Sequence, residues 1–169
     1  MAKYRSLKLN TNRIIGIDPG LAKSGWGLVE KTGGRLRVLE YGVIVTDAGM
    51  EHARRLLVVH NEISKVLNHW RPRAGAIEKL YFAKNSKTAM PVGEARGVLF
   101  LALAQAELPV FEYSPNEIKM AITGTGSAEK HQVQEMVRLI LGLDSPPRPD
   151  HAADALGAAI CCAHNLIAY

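Results

Sequence analysis

Three acidic residues and a histidine stand at positions where side chains can do chemistry. Asp18 closes the apolar run "IIGID" and precedes Pro-Gly, Glu78 closes "AGAIE", and Asp154 follows His151 by three residues in "DHAADAL". Residues three apart on a helix share a face, so His151 and Asp154 can point at one spot. If the strands ending at Asp18 and Glu78 are neighbours, their carboxylates project from one sheet edge, where α/β sheets usually place their sites. Gathered carboxylates repel one another unless cations intervene, and three of them with an imidazole make an open cage for two divalent ions. Such a cage suits phosphodiester hydrolysis. One ion turns a bound water into a nucleophile and the other stabilises the departing 3′ oxygen, with about 4 Å between the ions. Oxygen ligands suit Mg²⁺ and Mn²⁺, and an imidazole in the set moves the preference towards Mn²⁺.

Each residue has a plainer reading. Asp before Pro-Gly is a turn former, and Glu at a strand end is often just exposed. Asp150 follows Pro149 and reads as the N-cap of the last helix. It also lies four residues before Asp154, which makes it a rival to His151. The stretch "IIGIDPGLAKSGWG" is further compatible with the phosphate-touching hairpin of sugar kinases and actin-like ATPases. Those enzymes close two such domains around ATP, more than 169 residues supply, and no GxxxxGK[ST] loop occurs. Jointly the residues favour a metal-binding edge.

The elements that must position them follow from the pattern. Strand-like runs at Arg13–Asp18, Gly25–Glu30 and Leu36–Val45, separated by turn signals such as "KTGG", predict an antiparallel meander. Met50–Trp70 is an amphipathic helix stopped by Pro72, followed by the short buried strand ending at Glu78. A second helix spans about Thr88–Glu107, with Pro91 near its start. Its later half is apolar nearly all round and needs cover on two sides, the sheet and a second subunit. A strand at Leu108–Tyr113 and helices at Pro115–Ile122, Ala128–Leu141 and His151–Leu166 complete the chain. This order predicts an α/β fold, a mixed five-stranded sheet flanked by helices. Residues 1–12 read as a flexible basic arm and residues 13–169 as one domain.

Lys and Arg number 21 against 16 Asp and Glu, a net charge of +5 that favours a polyanionic partner. The longest apolar run, Val98–Ala104, is too short to cross a bilayer, and nothing suggests export. Cys161 and Cys162 are adjacent and read as reduced, packed thiols of a cytoplasmic protein.

Beyond Glu78, "KLYFAKNSK" sets Lys79, Lys84 and Lys87 around Tyr81 and Phe82, whose rings can stack on unpaired bases for roughly 1–3 kcal/mol each. The turn "TGTGSAEK" precedes another helix, with Ser127 able to cap it and Lys130 in its first turn, an arrangement that attracts phosphate. Arg96 and Arg138 read as salt-bridging helix residues.

Taken together, "IIGIDPGLAKSGWGLVE", "AIEKLYFAKNSKTAMPVGEARGV", "YSPNEIKMAITGTGSAEKHQVQEMVRLIL" and "DHAADALGAAICCAHN" strongly resemble the RuvC Holliday junction resolvases, from about Arg13 to His164. The resemblance implies an RNase H-like, retroviral-integrase-like fold, a homodimer, and Mg²⁺-dependent paired nicking of four-way DNA junctions. It further implies a branch-migration motor complex as partner. It marks Asp18, Glu78, His151 and Asp154 as catalytic and metal-binding residues. His151 occupies a position that is Asp in some members and His in others. It also marks Tyr81 as the stacking residue and Lys119 and Lys130 as lysines near the scissile phosphate, with Lys84 adding charge. Two other readings stay open at this point: an RNase H-fold nuclease acting on RNA, and a catalytically inert DNA-binding protein.

Overall fold

The structure, a computed structural model, describes residues 12–80 and 86–166, with the side chains of 86–88 set aside. Residues 1–11 of the basic arm and the expected DNA contacts Tyr81, Phe82 and Lys84 fall outside the described residues.

Ten elements run in the predicted order: β1 (Arg13–Asp18), β2 (Lys23–Thr32), β3 (Arg35–Val45), α1 (His52–Trp70), β4 (Ala74–Glu78), α2 (Ser86–Gln105), β5 (Val110–Tyr113), α3 (Pro115–Thr123), α4 (Lys130–Leu141) and α5 (Asp150–Asn165). The sheet order is β3-β2-β1-β4-β5. β1, β2 and β3 pair antiparallel as a meander, while β4 joins β1 and β5 joins β4 in parallel. The chain therefore builds outward from β1 in both directions, and β1 and β4 are neighbours whose C-terminal ends coincide.

Period-two alternation sorts the side chains of the central strands between two cores. Ile15, Ile17 and Ile77 face α1 and α2, where they pack with Val59, Ile63, Leu67, Leu99 and Leu103. Ile14, Ala74 and Ala76 face the other way, onto α3, α4 and α5, among Ile118, Ile122, Val137 and Leu156. α5 is almost wholly buried from Ala152 to Ala163. Its run of alanines both favours helix and keeps the surface low, so the helix axis can come close to the sheet.

Glycines on the strands complete that approach. A Cβ on Gly16 would lie 1.9 Å from the Ala155 carbonyl oxygen, and one on Gly25 would lie 1.9 Å from that of His151. One on Gly27 would overlap Leu156. Backbone thus rests on backbone at Gly16 and Gly25, and backbone on the Leu156 side chain at Gly27.

Local sequence also sets the helix ends. α3 begins with a capping box, Ser114 accepting from the Glu117 amide and Glu117 accepting from the Ser114 amide, with Pro115 behind the cap. Two expected caps are corrected. α4 is capped by Glu129, in a box with Gln132. Ser127 instead bonds the Thr125 hydroxyl. The N-cap of α5 is Pro149, so Asp150 is the first helical residue and its side chain is turned to other partners.

Candidate active site

Asp18 and Glu78 are brought together by register alone. Ile14–Ile17 of β1 pair in order with Ala74–Ile77 of β4, so one residue further on Asp18 and Glu78 stand side by side at the end of two parallel strands. Alternation turns both side chains to the α5 face, opposite to Ile17 and Ile77.

The third member of the cluster arrives from α5. Gly25 lies across β2 from Asp18, and the His151 backbone rests on Gly25. That contact sets the imidazole against the strand end, with His151 Nδ1 2.7 Å from Asp18 Oδ2. The ring N–H donates to the carboxylate, which leaves Nε2 as the ring atom with a lone pair to offer a cation. One turn along the same face, Asp154 Oδ2 lies 3.5 Å from Lys130 Nζ at the start of α4. Lys130 is also 3.1 Å from Asp150 Oδ2.

The electrostatics are those of a negative cluster held partly out of water. Burial pushes the Glu78 carboxyl up to about 7, helped by the charges of Asp18 and Asp154. Burial likewise raises Asp18, against the hydrogen bond from His151, and raises Asp154, against the pull of Lys130. Asp150 behaves oppositely, held below the usual carboxylate range by its bonds from Lys130 and Gln134. Among the described residues, Glu78 has no hydrogen-bonding or ion-pair partner, so its charge is the least compensated of the set.

Three carboxylates and an imidazole on one sheet edge are the donor set that hard divalent cations prefer. Burial and, after it, mutual repulsion raise three of these pKa values, and bound cations would relieve the repulsion. Among the described residues, no three acidic, histidine or cysteine side chains already close on a single point. His151 is instead engaged with Asp18, and Lys130 lies against Asp154.

The other expected residues divide. Lys130 joins the cluster. Lys119, on α3, has no hydrogen bond or ion pair linking its side chain to the cluster among the described residues. Arg96 and Arg138 are salt-bridged as expected, to Glu112 and Glu135. Cys161 and Cys162 are buried free thiols, with burial pushing both up to about 11. Sequence reasoning missed Gln134 and Arg148, which both donate to Asp150. The spacing of Lys130 and Gln134, four apart on one helix, was the available signal.

Comparison with known proteins agrees with this fold. A family model described as "Crossover junction endodeoxyribonuclease RuvC" matches residues 14–162. Similar proteins of that description include one from Roseiflexus sp. (strain RS-1), 52% identical over 90% of this chain and 91% of its own length. Another, from Chloroflexus aggregans, is 53% identical over 90% of this chain and 93% of its own. Among solved structures, the RuvC of Thermus thermophilus superposes with a TM-score of 0.82 at 38% identity, covering 88% of this chain and 92% of that one. A structure described as T. thermophilus RuvC in complex with Holliday junction substrate gives 0.81 at 35% identity, covering 88% and 91%. The fold is accordingly RNase H-like. With the match running from β1 into the last turn of α5, across every element that positions the cluster, the chain belongs to the RuvC family of crossover junction endodeoxyribonucleases.

Proposed function

We propose that this protein resolves Holliday junctions, nicking two strands of a four-way DNA junction symmetrically and leaving 5′-phosphate and 3′-hydroxyl ends. The observation that carries this reading is the β1–β4 register, which sets Asp18 beside Glu78 on the face that α5 covers with His151 and Asp154.

In this reading Asp18, Glu78, His151 and Asp154 hold two Mg²⁺ ions, or Mn²⁺ in their place. When bound, such ions supply an activated water and compensate charge on the departing oxygen. The chain's own residues bind, orient and neutralise. Asp18 and Glu78 are fixed by strand ends that cannot shift relative to one another without breaking the ladder. His151 steadies Asp18 by its N–H and presents Nε2. Lys130 offsets phosphate charge next to Asp154, while Lys84 and Lys119 hold the DNA backbone and Tyr81 stacks on a base unpaired at the crossover.

Two copies act as a homodimer whose twofold symmetry matches that of the junction. α2 supports this, since Met90 and Leu101 on it are 71% and 53% exposed while Leu99 and Leu103 are buried against the sheet. A branch-migration motor complex is the partner that the family resemblance brings with it. Among the described residues, no helix is long and apolar enough to cross a membrane.

The test is a synthetic four-way DNA junction offered with Mg²⁺, beside an RNA duplex of equal length. Paired nicks in the junction alone are expected, and Asp18→Asn should abolish them while junction binding persists. Undiminished nicking by Asp18→Asn would overturn the site assignment. Cleavage of the RNA instead would overturn the substrate.

A further inference from the structure

Two helices meet beside the cluster with four polar side chains in a two-by-two arrangement. Lys130 and Gln134 lie one turn apart on α4, and Asp150 and Asp154 lie one turn apart on α5. Asp150 is the best-held carboxylate in the group. Its Oδ1 accepts from Gln134 Nε2 at 3.0 Å and from Arg148 Nη1 at 2.8 Å, and its Oδ2 lies 3.1 Å from Lys130 Nζ. Gln134 is only 8% exposed, so the amide is fixed by packing before it meets Asp150. Asp150 also sits in the first turn of α5, where the helix dipole favours a negative charge. Among the described residues, Asp154 shares only one of these holds, the same ammonium, 3.5 Å from its oxygen.

Lys130 therefore has two carboxylate stations, one anchored and one free. Lys130 leans on both, a counter-cation for a crowded negative site. A divalent cation that takes Asp154 must displace the ammonium from that oxygen, and like charges then push Lys130 away from the site altogether. A lysine on a flexible four-carbon stem would swing into solvent unless something retained it. We infer that Asp150 is a positioning residue that retains Lys130 beside the cluster when cations claim Asp154. The inference rests on the reading of Asp154 as a metal ligand. It gives Asp150 a duty distinct from both helix capping and metal ligation.

The consequence is a coupling between two residues read out in cation affinity. With Asp150 present, the ammonium yields Asp154 at small cost because it keeps an anchored partner. Asp150→Asn removes that partner, and Lys130 then depends on Asp154 and competes with the cation for it. Mn²⁺ binding to the DNA-free, full-length protein, followed by electron paramagnetic resonance, measures this without turnover.

We expect Asp150→Asn to weaken Mn²⁺ binding about tenfold when Lys130 is present and less than twofold in the Lys130→Met background. Asp150→Glu, which keeps the carboxylate, should restore binding to near the wild-type value. An equal loss in both backgrounds would reduce Asp150 to a general charge or packing effect and overturn the inference, as would unchanged affinity in Asp150→Asn. A wild-type protein that binds no Mn²⁺ overturns the inference together with the metal site. One that binds Mn²⁺ with this coupling but nicks no junction supports the inference and overturns the proposed function alone.

Discussion

Glu78 offers the sharpest test of the electrostatic account, because there the structure sets stability against activity. Its carboxyl rises from an ordinary value of 4.5 to about 7 through burial and the neighbouring charges of Asp18 and Asp154. An acid whose folded pKa lies above its unfolded one binds more protons when folded. Stability is therefore greatest below about pH 4.5, declines as pH rises towards 7, and stays reduced above that. At 1.36 kcal/mol per pH unit this window amounts to roughly 3 kcal/mol. Glu78 is only half-buried, so solvent screening brings the figure down to about 2 kcal/mol. Glu78→Gln keeps the shape and removes the charge. Without metal at pH 8 it should be more stable than the wild type by about 2 kcal/mol, on the order of 5 °C in Tm. At pH 5 the two proteins should nearly coincide. Saturating Mg²⁺ should close the gap at pH 8 by stabilising the wild type, since ligand bound only to the folded state adds to its stability. Urea and thermal unfolding at both pH values, with EDTA or Mg²⁺, give all four comparisons. If Glu78→Gln is no more stable than the wild type at pH 8 in EDTA, the description of a strained, uncompensated carboxylate is wrong.

Two further outcomes follow from packing. Gly25→Ala would place a methyl 1.9 Å from the His151 carbonyl oxygen and should destabilise the protein by about 3 kcal/mol. It should weaken Mn²⁺ binding as well, since relief requires α5 to move; urea unfolding with unchanged midpoint would contradict the close seam. Leu101→Glu charges an exposed apolar position on α2 and should convert a species of twice the 18.4 kDa chain mass into a monomer with unaltered circular dichroism. Sedimentation showing the wild type itself as a monomer would remove α2 as the pairing surface.

The elements were legible because local signals agreed with the tertiary demand. Arg13–Asp18 and Ala74–Glu78 are apolar runs closed by an acid, and both appear as strands with those same bounds. The meander was legible from its turn residues, and the helices from their apolar spacing. Glu78, Asp18, His151 and Asp154 could be paired in advance because strand ends and helix faces are local properties that sum to one place. Less visible were features decided by partners far along the chain. Ser127 has the better capping chemistry, yet Glu129 takes the cap because Gln132 can answer it in a box while Ser127 is engaged with Thr125. Asp150 looked like a cap because the spacing of Lys130 and Gln134 shows that they share a face of α4 but not that α5 brings Asp150 to it from sixteen residues beyond Gln134. The glycines of β1 and β2 read as turn and strand residues; their purpose becomes apparent only once α5 is laid upon them.

The glycine–alanine seam also dictates where such a molecule is free to change. At Gly16 and Gly25, where helix backbone lies directly on the strand, an added methyl cannot be absorbed by a rotamer and is passed to α5 as a displacement of the whole rod. The nucleolytic end would travel as far as the disturbed end, so residues remote from the reaction govern its alignment. Adaptation to heat, salt or a new partner must then be written on the opposite layer, in α1 and α2, where flexible aliphatic side chains can be exchanged without moving the cutting edge.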